Sequence, residues 1–191
     1  MLAYEVYLLF HMKYIFFSKL VLLFFQSRRY FILPAASLRR EKQGEEHSSK
    51  HKKRQLDEAG IRYNFFYLVG LAGNGYGERN ALRSAEVFNK LYPISIGFLS
   101  LTLFPESQLY QEIVEGLYEE ATEYERIDEM ICLIEHLTCK THILARTVSN
   151  PIPFTGSLPT DRQQLIDDLS SVKERLSEEQ LRSYRDSIEP L

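Results

Sequence analysis

Four glycines between residues 70 and 77 form the clearest chemical signal in this chain. The loop Gly70–Gly77 follows an apolar segment and precedes a segment with helical spacing. Glycine lets the backbone approach a ligand, and a following helix offers free N–H groups, so such loops often bind phosphates or nucleosides. The spacing G-x-x-G-x-G-x-G matches neither G-x-G-x-x-G nor G-x-x-x-x-G-K-[ST]. Ligand binding and a simple tight turn are both open interpretations.

A second candidate group combines thiols and imidazoles. Cys132, His136 and Cys139 are spaced so that one face of a helix presents all three, and His142 follows. Thiolate and imidazole are zinc ligands, but this spacing is not that of a common zinc module. The face also lies opposite the isoleucine stripe predicted to pack into the core. We interpret the two cysteines as buried or inert and predict no metal site.

Acidic and polar residues supply the remaining candidates. A dense acidic run between residues 106 and 129 could provide paired carboxylates for acid–base work or for a cation. Most of it begins or flanks predicted helices, where the helix dipole favours acids, so we interpret it as a solvated face. No catalytic residue stands out. The polar candidates beside a proline-rich loop are His142, Arg146, Ser149 and Asn150.

Length and composition limit the classes of protein that could carry these groups. The chain has 191 residues and a mass of 22.4 kDa, which suits one domain or one domain with a tail. Two cysteines exclude a disulfide scaffold and any cluster that needs three or four thiolates from this chain. The net charge of −3 excludes a protein that coats nucleic acid by bulk positive charge.

The charge is divided unevenly along the chain. Residues 1–34 carry +3, residues 35–58 carry +2 and residues 59–191 carry −8, while ten of the 24 Phe and Tyr residues lie in the first 34. We therefore predict an apolar aromatic N-terminal segment (1–34), a charged linker (35–58) and a folded region (59–191).

The N-terminal segment does not match a membrane span. A span needs about 20 mostly apolar residues, and here it would have to include Glu5, Lys13 and Lys19. We interpret residues 1–34 as a membrane-surface segment or as an N-terminus foreign to the rest of the chain. A cytoplasmic location is expected.

The folded region begins with a strand–helix–strand pattern. Apolar runs at Ile61–Leu71 and Ile94–Leu103 predict buried strands, and Glu78–Leu91 between them has helical spacing. This βαβ unit requires parallel strands and a right-handed crossover. It therefore predicts an α/β fold, with the glycine loop where one of the parallel strands ends.

The remainder is predicted to be mainly helical. Helices are expected at Pro105–Glu115 and after capping pairs at Thr122 with Glu125, Thr160 with Gln163 and Ser177 with Gln180. A short strand is predicted at Thr141–Ser149 and an ordered or exposed loop at Asn150–Pro159, which contains three prolines.

A series of short sequence strings between about residues 56 and 191 is informative through its order and spacing. The strings are Ala59-Gly60-Ile61, Tyr67–Gly73 with Gly77, Asn80 and Ala81, Phe88-Asn89, Pro93, Ser100–Pro105, Glu123, Glu125-Arg126, Leu133–Glu135, Thr141-His142, Ser149-Asn150, Pro153, Gly156, Leu158-Pro159 and Asp161-Arg162. Together they resemble the back half of radical S-adenosylmethionine proteins, in particular the bacterial group related to oxygen-independent coproporphyrinogen oxidase.

The resemblance implies a partial (β/α)6 barrel of which Ile61–Leu71 and Ile94–Leu103 are the last two strands. It also implies that Gly70, Leu71, Ala72 and Gly73 lie near the adenosyl group of S-adenosylmethionine. Members of this family cleave that cofactor with a [4Fe–4S] cluster held by C-x-x-x-C-x-x-C and act on small molecules. Cys132 and Cys139 do not form such a motif.

Two functions follow from the sequence as expectations. The first is a truncated radical S-adenosylmethionine protein that is inactive as this chain, because the cluster lacks its ligands. The alternative is a non-enzymatic, membrane-associated interaction protein anchored by residues 1–34.

Overall fold

The computed structural model describes residues 63–188 and the backbone of residues 20–25 and 31–34. The predicted linker at 35–58 and the first residues of the strand predicted from Ile61 lie outside the described residues. The strands are β1 (Leu20–Phe25), β2 (Phe31–Pro34), β3 (Tyr63–Val69), β4 (Ser95–Ser100), β5 (Thr141–Ala145) and β6 (Phe154–Leu158). The helices are α1 (Gly77–Leu91), α2 (Gln108–Val114), α3 (Glu123–His136), α4 (Arg162–Arg175) and α5 (Glu178–Asp186).

One sheet with the order β2-β1-β3-β4-β5-β6 contains all of these strands. The central strands β3, β4 and β5 are parallel, whereas β1 pairs antiparallel with β3 and β6 pairs antiparallel with β5. The predicted α/β class and the parallel pairing of the strands on either side of α1 are therefore confirmed. The strand pair β1–β2 comes from residues 1–34, where the sequence pattern predicts no strand.

Alternation of side chains along β3 determines which face of the sheet is buried. Tyr63, Phe65, Tyr67 and Val69 are all buried, and the residues between them are half-buried. The Phe65 ring stacks on Phe88 of α1 at 5.0 Å between centroids. Large aromatic side chains thus pack α1 against the sheet.

Helix α3 is the central element of the helical layer. It contacts α1, α4, α5 and β3. The predicted capping box is confirmed, since the Thr122 side chain accepts from the Glu125 N–H and the Glu125 carboxylate accepts from the Thr122 N–H. The capping box predicted at Ser177 and Gln180 is also present at the start of α5.

Two local predictions after β5 are wrong. The segment Asn150–Pro159, predicted to be a loop, contains β6, because Phe154 and Leu158 are buried and pair with Ala145 and Thr141. The helix predicted to start with a Thr160 cap instead begins at Arg162 without a side-chain cap. Asp161 uses its carboxylate to accept the N–H of Ser157, which fixes the end of β6.

No helix within the described ranges is long and apolar enough to cross a membrane.

Candidate functional site

The glycine turn lies at the carboxyl edge of the parallel strands, which is where α/β proteins usually place their sites. It follows β3 directly, and the Leu101 N–H donates to the Val69 carbonyl at 2.9 Å across the neighbouring strand end. Gly70 and Gly73 have φ values of +83° and +84°, which glycine adopts without strain. The Gly73 N–H donates to the Gly70 carbonyl at 3.2 Å, so the turn is closed on itself.

Other residues of the chain occupy the space that side chains at Gly70 and Gly73 would need. A Cβ on Gly70 would lie 2.7 Å from the Arg126 guanidinium carbon. A Cβ on Gly73 would lie 2.8 Å from the Glu119 carbonyl oxygen. These two glycines are thus required by internal packing, whereas Leu71 and Ala72 between them are half-buried.

A buried carboxylate binds the backbone at the start of the turn. Glu129 Oε2 accepts the Gly70 N–H at 2.7 Å, and Glu129 Oε1 accepts from the Tyr67 hydroxyl at 2.5 Å and from Asn80 Nδ2 at 3.0 Å. The Gly70 carbonyl accepts the Tyr118 hydroxyl at 2.8 Å. Both backbone groups of Gly70 are therefore paired with side chains of the same chain.

Burial dominates the protonation of this network. It raises the pKa of Glu129, an effect that the hydrogen bonds from Tyr67, Asn80 and Gly70 only partly offset. Burial and the neighbouring Glu129 also raise the pKa of Tyr67 well above its ordinary value. The network can therefore hold a proton under the turn at a pH where an exposed glutamate has lost it.

Replacing Glu129 by glutamine should reduce the pH dependence of stability. A raised pKa means that the wild-type carboxyl stabilises the fold below its ordinary pKa of 4.5 and loses that contribution as pH rises through the folded pKa. Glu129→Gln should remove this decline and cost about 1–3 kcal/mol, because glutamine has one oxygen for the three donors and its NH2 group then faces the Gly70 N–H. Urea unfolding between pH 4 and 8 measures both effects; Glu135→Gln, an exposed change on the same helix, is the control. An unchanged pH slope in the Glu129 variant would contradict this assignment.

Beside the turn lies an ion-pair network with two almost fully buried arginines. Arg126 donates to the Leu101 carbonyl at 3.0 Å and to Glu120 at 2.6 Å. Arg185 donates to the same carbonyl at 2.8 Å and forms two bonds of 2.7 and 2.6 Å with Glu123. Arg182 pairs with the second oxygen of Glu120 at 2.8 Å. The network joins α3 and α5 to the carboxyl edge of β4.

Opposing effects set the pKa values in this network. Burial by itself would raise the pKa of Glu123, but Arg185, Arg126 and Arg182 together hold it below its ordinary value. Burial and the nearby Arg185 lower the pKa of Arg126. Glu123 is thus ionised and fully committed to its arginine partners.

A small cavity next to the network admits only groups of about the size of water. Its polar lining is formed by Ser100, Glu123, Arg126, Asn150 and Arg185. Asn150 Nδ2 donates to the Phe98 carbonyl at 2.7 Å, while its side-chain oxygen has no partner within the part of the chain that the structure describes. This oxygen can accept a hydrogen bond from a small donor, but the cavity cannot hold a nucleoside.

The predicted cysteine–histidine face lies only partly in the core. Cys132 and Cys139 are buried, as predicted, and both belong to the main hydrophobic cluster. Helices α1 and α4 both contact α3, and the two cysteines pack into the core, whereas His136 between them is exposed. His136 Nδ1 lies 2.8 Å from the Cys132 carbonyl oxygen. Within residues 63–188, no three His, Cys, Asp or Glu side chains come together as a metal site.

The polar candidates beside the proline-rich segment are brought together only in part. Ser149 and Asn150 both contact Thr147, at 2.9 and 3.1 Å. His142 is exposed and instead pairs with Ser157 on β6 at 2.9 Å, and Arg146 is also exposed. These residues do not form one site, because His142 lies within β5 on its exposed face, whereas Ser149 and Asn150 lie in the turn after the strand.

The interpretation of the acidic run as a solvated face is wrong for Glu123 and Glu129, which are almost fully buried. A signal was present in the sequence. Arg126, Glu129, Met130 and Leu133 follow the helical spacing of a core stripe, and charged residues on such a stripe indicate buried, paired charges. The partner Arg185 is 62 residues away from Glu123, and no local pattern points to it.

Comparisons of this chain with protein-family models, with curated proteins and with solved structures found no match.

Proposed function

We propose that this chain carries the C-terminal part of a radical S-adenosylmethionine scaffold and does not generate a radical by itself. In this proposal β3 and β4 are the last two strands of a partial (β/α)6 barrel. The observation that carries it is the glycine turn Gly70–Gly73 at the carboxyl end of β3, beside a parallel neighbour. Cofactor and substrate sites of parallel α/β folds are built at that edge.

The direction of β1 supports the proposal that this chain carries only part of the barrel. A barrel continues through parallel neighbours, but β1 pairs antiparallel with β3, with Leu22 opposite Phe66. The strand pair β1–β2 thus takes the edge where a preceding barrel strand would pair. The same pairing places ten residues of the predicted membrane anchor in the sheet, which favours the scaffold over the anchored interaction protein.

The thiols of this chain do not fit a [4Fe–4S] cluster. A cluster needs several accessible thiolates, and the chain has two cysteines. Both are buried, and burial raises the pKa of Cys132 to about 11 and also raises that of Cys139. Both side chains are therefore protonated at neutral pH and packed against apolar neighbours, so no reaction step is assigned to them.

Within the turn, only Leu71 and Ala72 are proposed to contact S-adenosylmethionine. The backbone of Gly70 is held by Glu129 and Tyr118, and the Cβ side of Gly73 faces Glu119. In the proposal, contacts with the adenosyl group come from the half-buried Leu71 and Ala72, while Gly70 and Gly73 set the shape of the turn.

Anaerobic reconstitution with iron and sulfide tests the first half of the proposal. We expect no stoichiometric cluster by absorbance and iron analysis, and no 5′-deoxyadenosine after addition of reductant and S-adenosylmethionine. A cluster bound at one per chain would overturn the statement that this chain cannot generate a radical.

Calorimetric titration with S-adenosylmethionine tests the second half. We expect binding that is weakened about tenfold or more by Ala72→Asp, because a carboxylate in the turn costs at least about 1.4 kcal/mol of binding free energy. Val148→Asp is the control, since Val148 is 72 % exposed and lies in the segment after β5, outside the glycine turn. Absence of binding to the wild type, or equal loss in both variants, would contradict the assignment of the turn.

A further inference from the structure

The small cavity beside the ion-pair network contains an acceptor that is buried and unpaired. Asn150 lines this cavity and is 4 % exposed. Its Nδ2 donates to the Phe98 carbonyl at 2.7 Å and to Thr147 Oγ1 at 3.1 Å. Because a carbonyl oxygen only accepts, the bond to Phe98 fixes which end of the amide is the nitrogen. Asn150 Oδ1 therefore lies on the other side of the amide, where it has no partner within residues 63–188.

Other residues that line the cavity supply donors. Arg185 uses three of its five N–H groups in bonds to Glu123 and to the Leu101 carbonyl, so two remain for another acceptor. Ser100, the last residue of β4, is also buried, and its hydroxyl can donate or accept. The cavity thus combines one strong acceptor with groups that can donate.

Size and polarity together restrict the ligand. The cavity admits only groups of about the size of water. Dry cavities in proteins are apolar, whereas polar ones of this size hold ordered water that forms about three hydrogen bonds. An acceptor such as Asn150 Oδ1 is unfavourable in the interior unless a donor reaches it. The cavity therefore suits a small molecule that can both donate and accept.

Charge disfavours an ion in this cavity. The guanidinium groups of Arg126 and Arg185 belong to the lining and repel a cation. The Glu123 carboxylate and the lone pairs of Asn150 Oδ1 repel an anion. A neutral molecule avoids both penalties.

We infer that one water molecule binds in this cavity, donates to Asn150 Oδ1 and accepts from Arg185 or Ser100. The water joins α5 and the end of β4 to the turn that follows β5, which the Asn150 N–H closes on the Thr147 carbonyl at 3.0 Å. Three observations carry the inference: the buried unpaired oxygen, the unused N–H groups of Arg185 and the size of the cavity. It does not depend on the cofactor proposed above.

A crystal structure of the full chain tests the site directly. We expect one peak of electron density in the cavity, about 2.7–3.2 Å from Asn150 Oδ1 and from one nitrogen or hydroxyl donor. Refined as water, it should have a B-factor similar to those of the surrounding atoms. Absence of this peak from a map that shows other buried waters would overturn the inference.

Soaked crystals distinguish water from ions. Thallium(I), which substitutes for ammonium and potassium, and bromide both give anomalous scattering. We expect neither soak to produce an anomalous peak in the cavity. A thallium peak would indicate a cation site and a bromide peak an anion site, and either result would overturn the inference.

Oxygen-17 relaxation dispersion of water tests the inference in solution, because it counts bound water molecules that exchange slowly. Ser100→Val removes a hydroxyl from the lining and adds a methyl group, so its count should be lower than that of the wild type by about one per chain. Equal counts in the two proteins would overturn the inference.

A matched control separates loss of this water from general loosening of the fold. Thr141→Val also replaces a buried hydroxyl by a methyl group on a strand, but Thr141 does not line the cavity, so the count should equal that of the wild type. Circular dichroism verifies that both variants fold, and the wild-type electron density does not depend on either. A loss in Thr141→Val equal to that in Ser100→Val would overturn the inference.

Discussion

Replacing Arg185 by leucine should lower the free energy of unfolding by about 3–5 kcal/mol. Arg185 is 3 % exposed and forms two bonds with Glu123, which is 2 % exposed. Removing the guanidinium leaves a buried carboxylate with only the longer contact to Arg182 at 3.5 Å. Denaturant unfolding monitored by circular dichroism measures the change.

The neighbouring Arg182 provides a control on the same helix. It is 32 % exposed, so Arg182→Leu should cost about 1 kcal/mol or less. The double variant Glu123→Leu with Arg185→Leu should recover much of the loss, because it removes both charges together. A loss for Arg182→Leu equal to that of Arg185→Leu would contradict the importance of burial.

Lowering the pH should reduce the difference in unfolding free energy between the wild type and Arg185→Leu. In the wild type the pKa of Glu123 is lowered, so its contribution to stability is present above the ordinary value of 4.5 and disappears as pH falls through the folded pKa. In the variant the buried carboxylate lacks its main partner, so protonation relieves the fold. A difference in unfolding free energy that is constant from pH 3 to 7 would contradict this account.

Gly70→Ala should be the second severe change, with a cost of about 2–5 kcal/mol from two causes that add. The φ of +83° disfavours any residue with a Cβ. The new methyl group would also press on the Arg126 guanidinium, which is buried and bonded to Leu101 and Glu120. Thermal and urea unfolding measure the loss.

Gly75→Ala separates the two causes. Its φ of +73° carries the same conformational penalty, but a Cβ there meets nothing within 4 Å. We expect a cost of about 1–2 kcal/mol for this change. Equal losses at both glycines would show that contact with Arg126 contributes nothing.

Much of the fold could be predicted from local patterns. The strands on either side of α1 and the capping boxes at Thr122 and Ser177 are signals that a few adjacent residues carry completely. Strand β6 was not predictable in this way, because prolines at 151, 153 and 159 indicate a loop, whereas pairing with β5 determines its structure. Strands β1 and β2 likewise depend on partners distant in the sequence.

The glycine turn itself was predictable from the sequence, but the residues that pack against it and bind its backbone were not. Gly70 and Gly73 are visible as glycines at the end of a predicted strand. That their missing side chains make room for Arg126 and the Glu119 carbonyl depends on α3 and the segment before it, about 50 residues later. The buried role of Glu129 follows from its three donors, of which only Gly70 belongs to the predicted loop.

The arrangement of strands also has a consequence for association between chains. The outermost strands β2 and β6 are short, with four and five residues, and β2 ends in Pro34, which has no N–H to offer. Short strands and prolines at sheet edges discourage the growth of a sheet by further strands. The longer aromatic strand β3 lies inside and is shielded by β1. Loss of residues 1–34, for example by proteolysis, would uncover a seven-residue strand edge and open a route to aggregation.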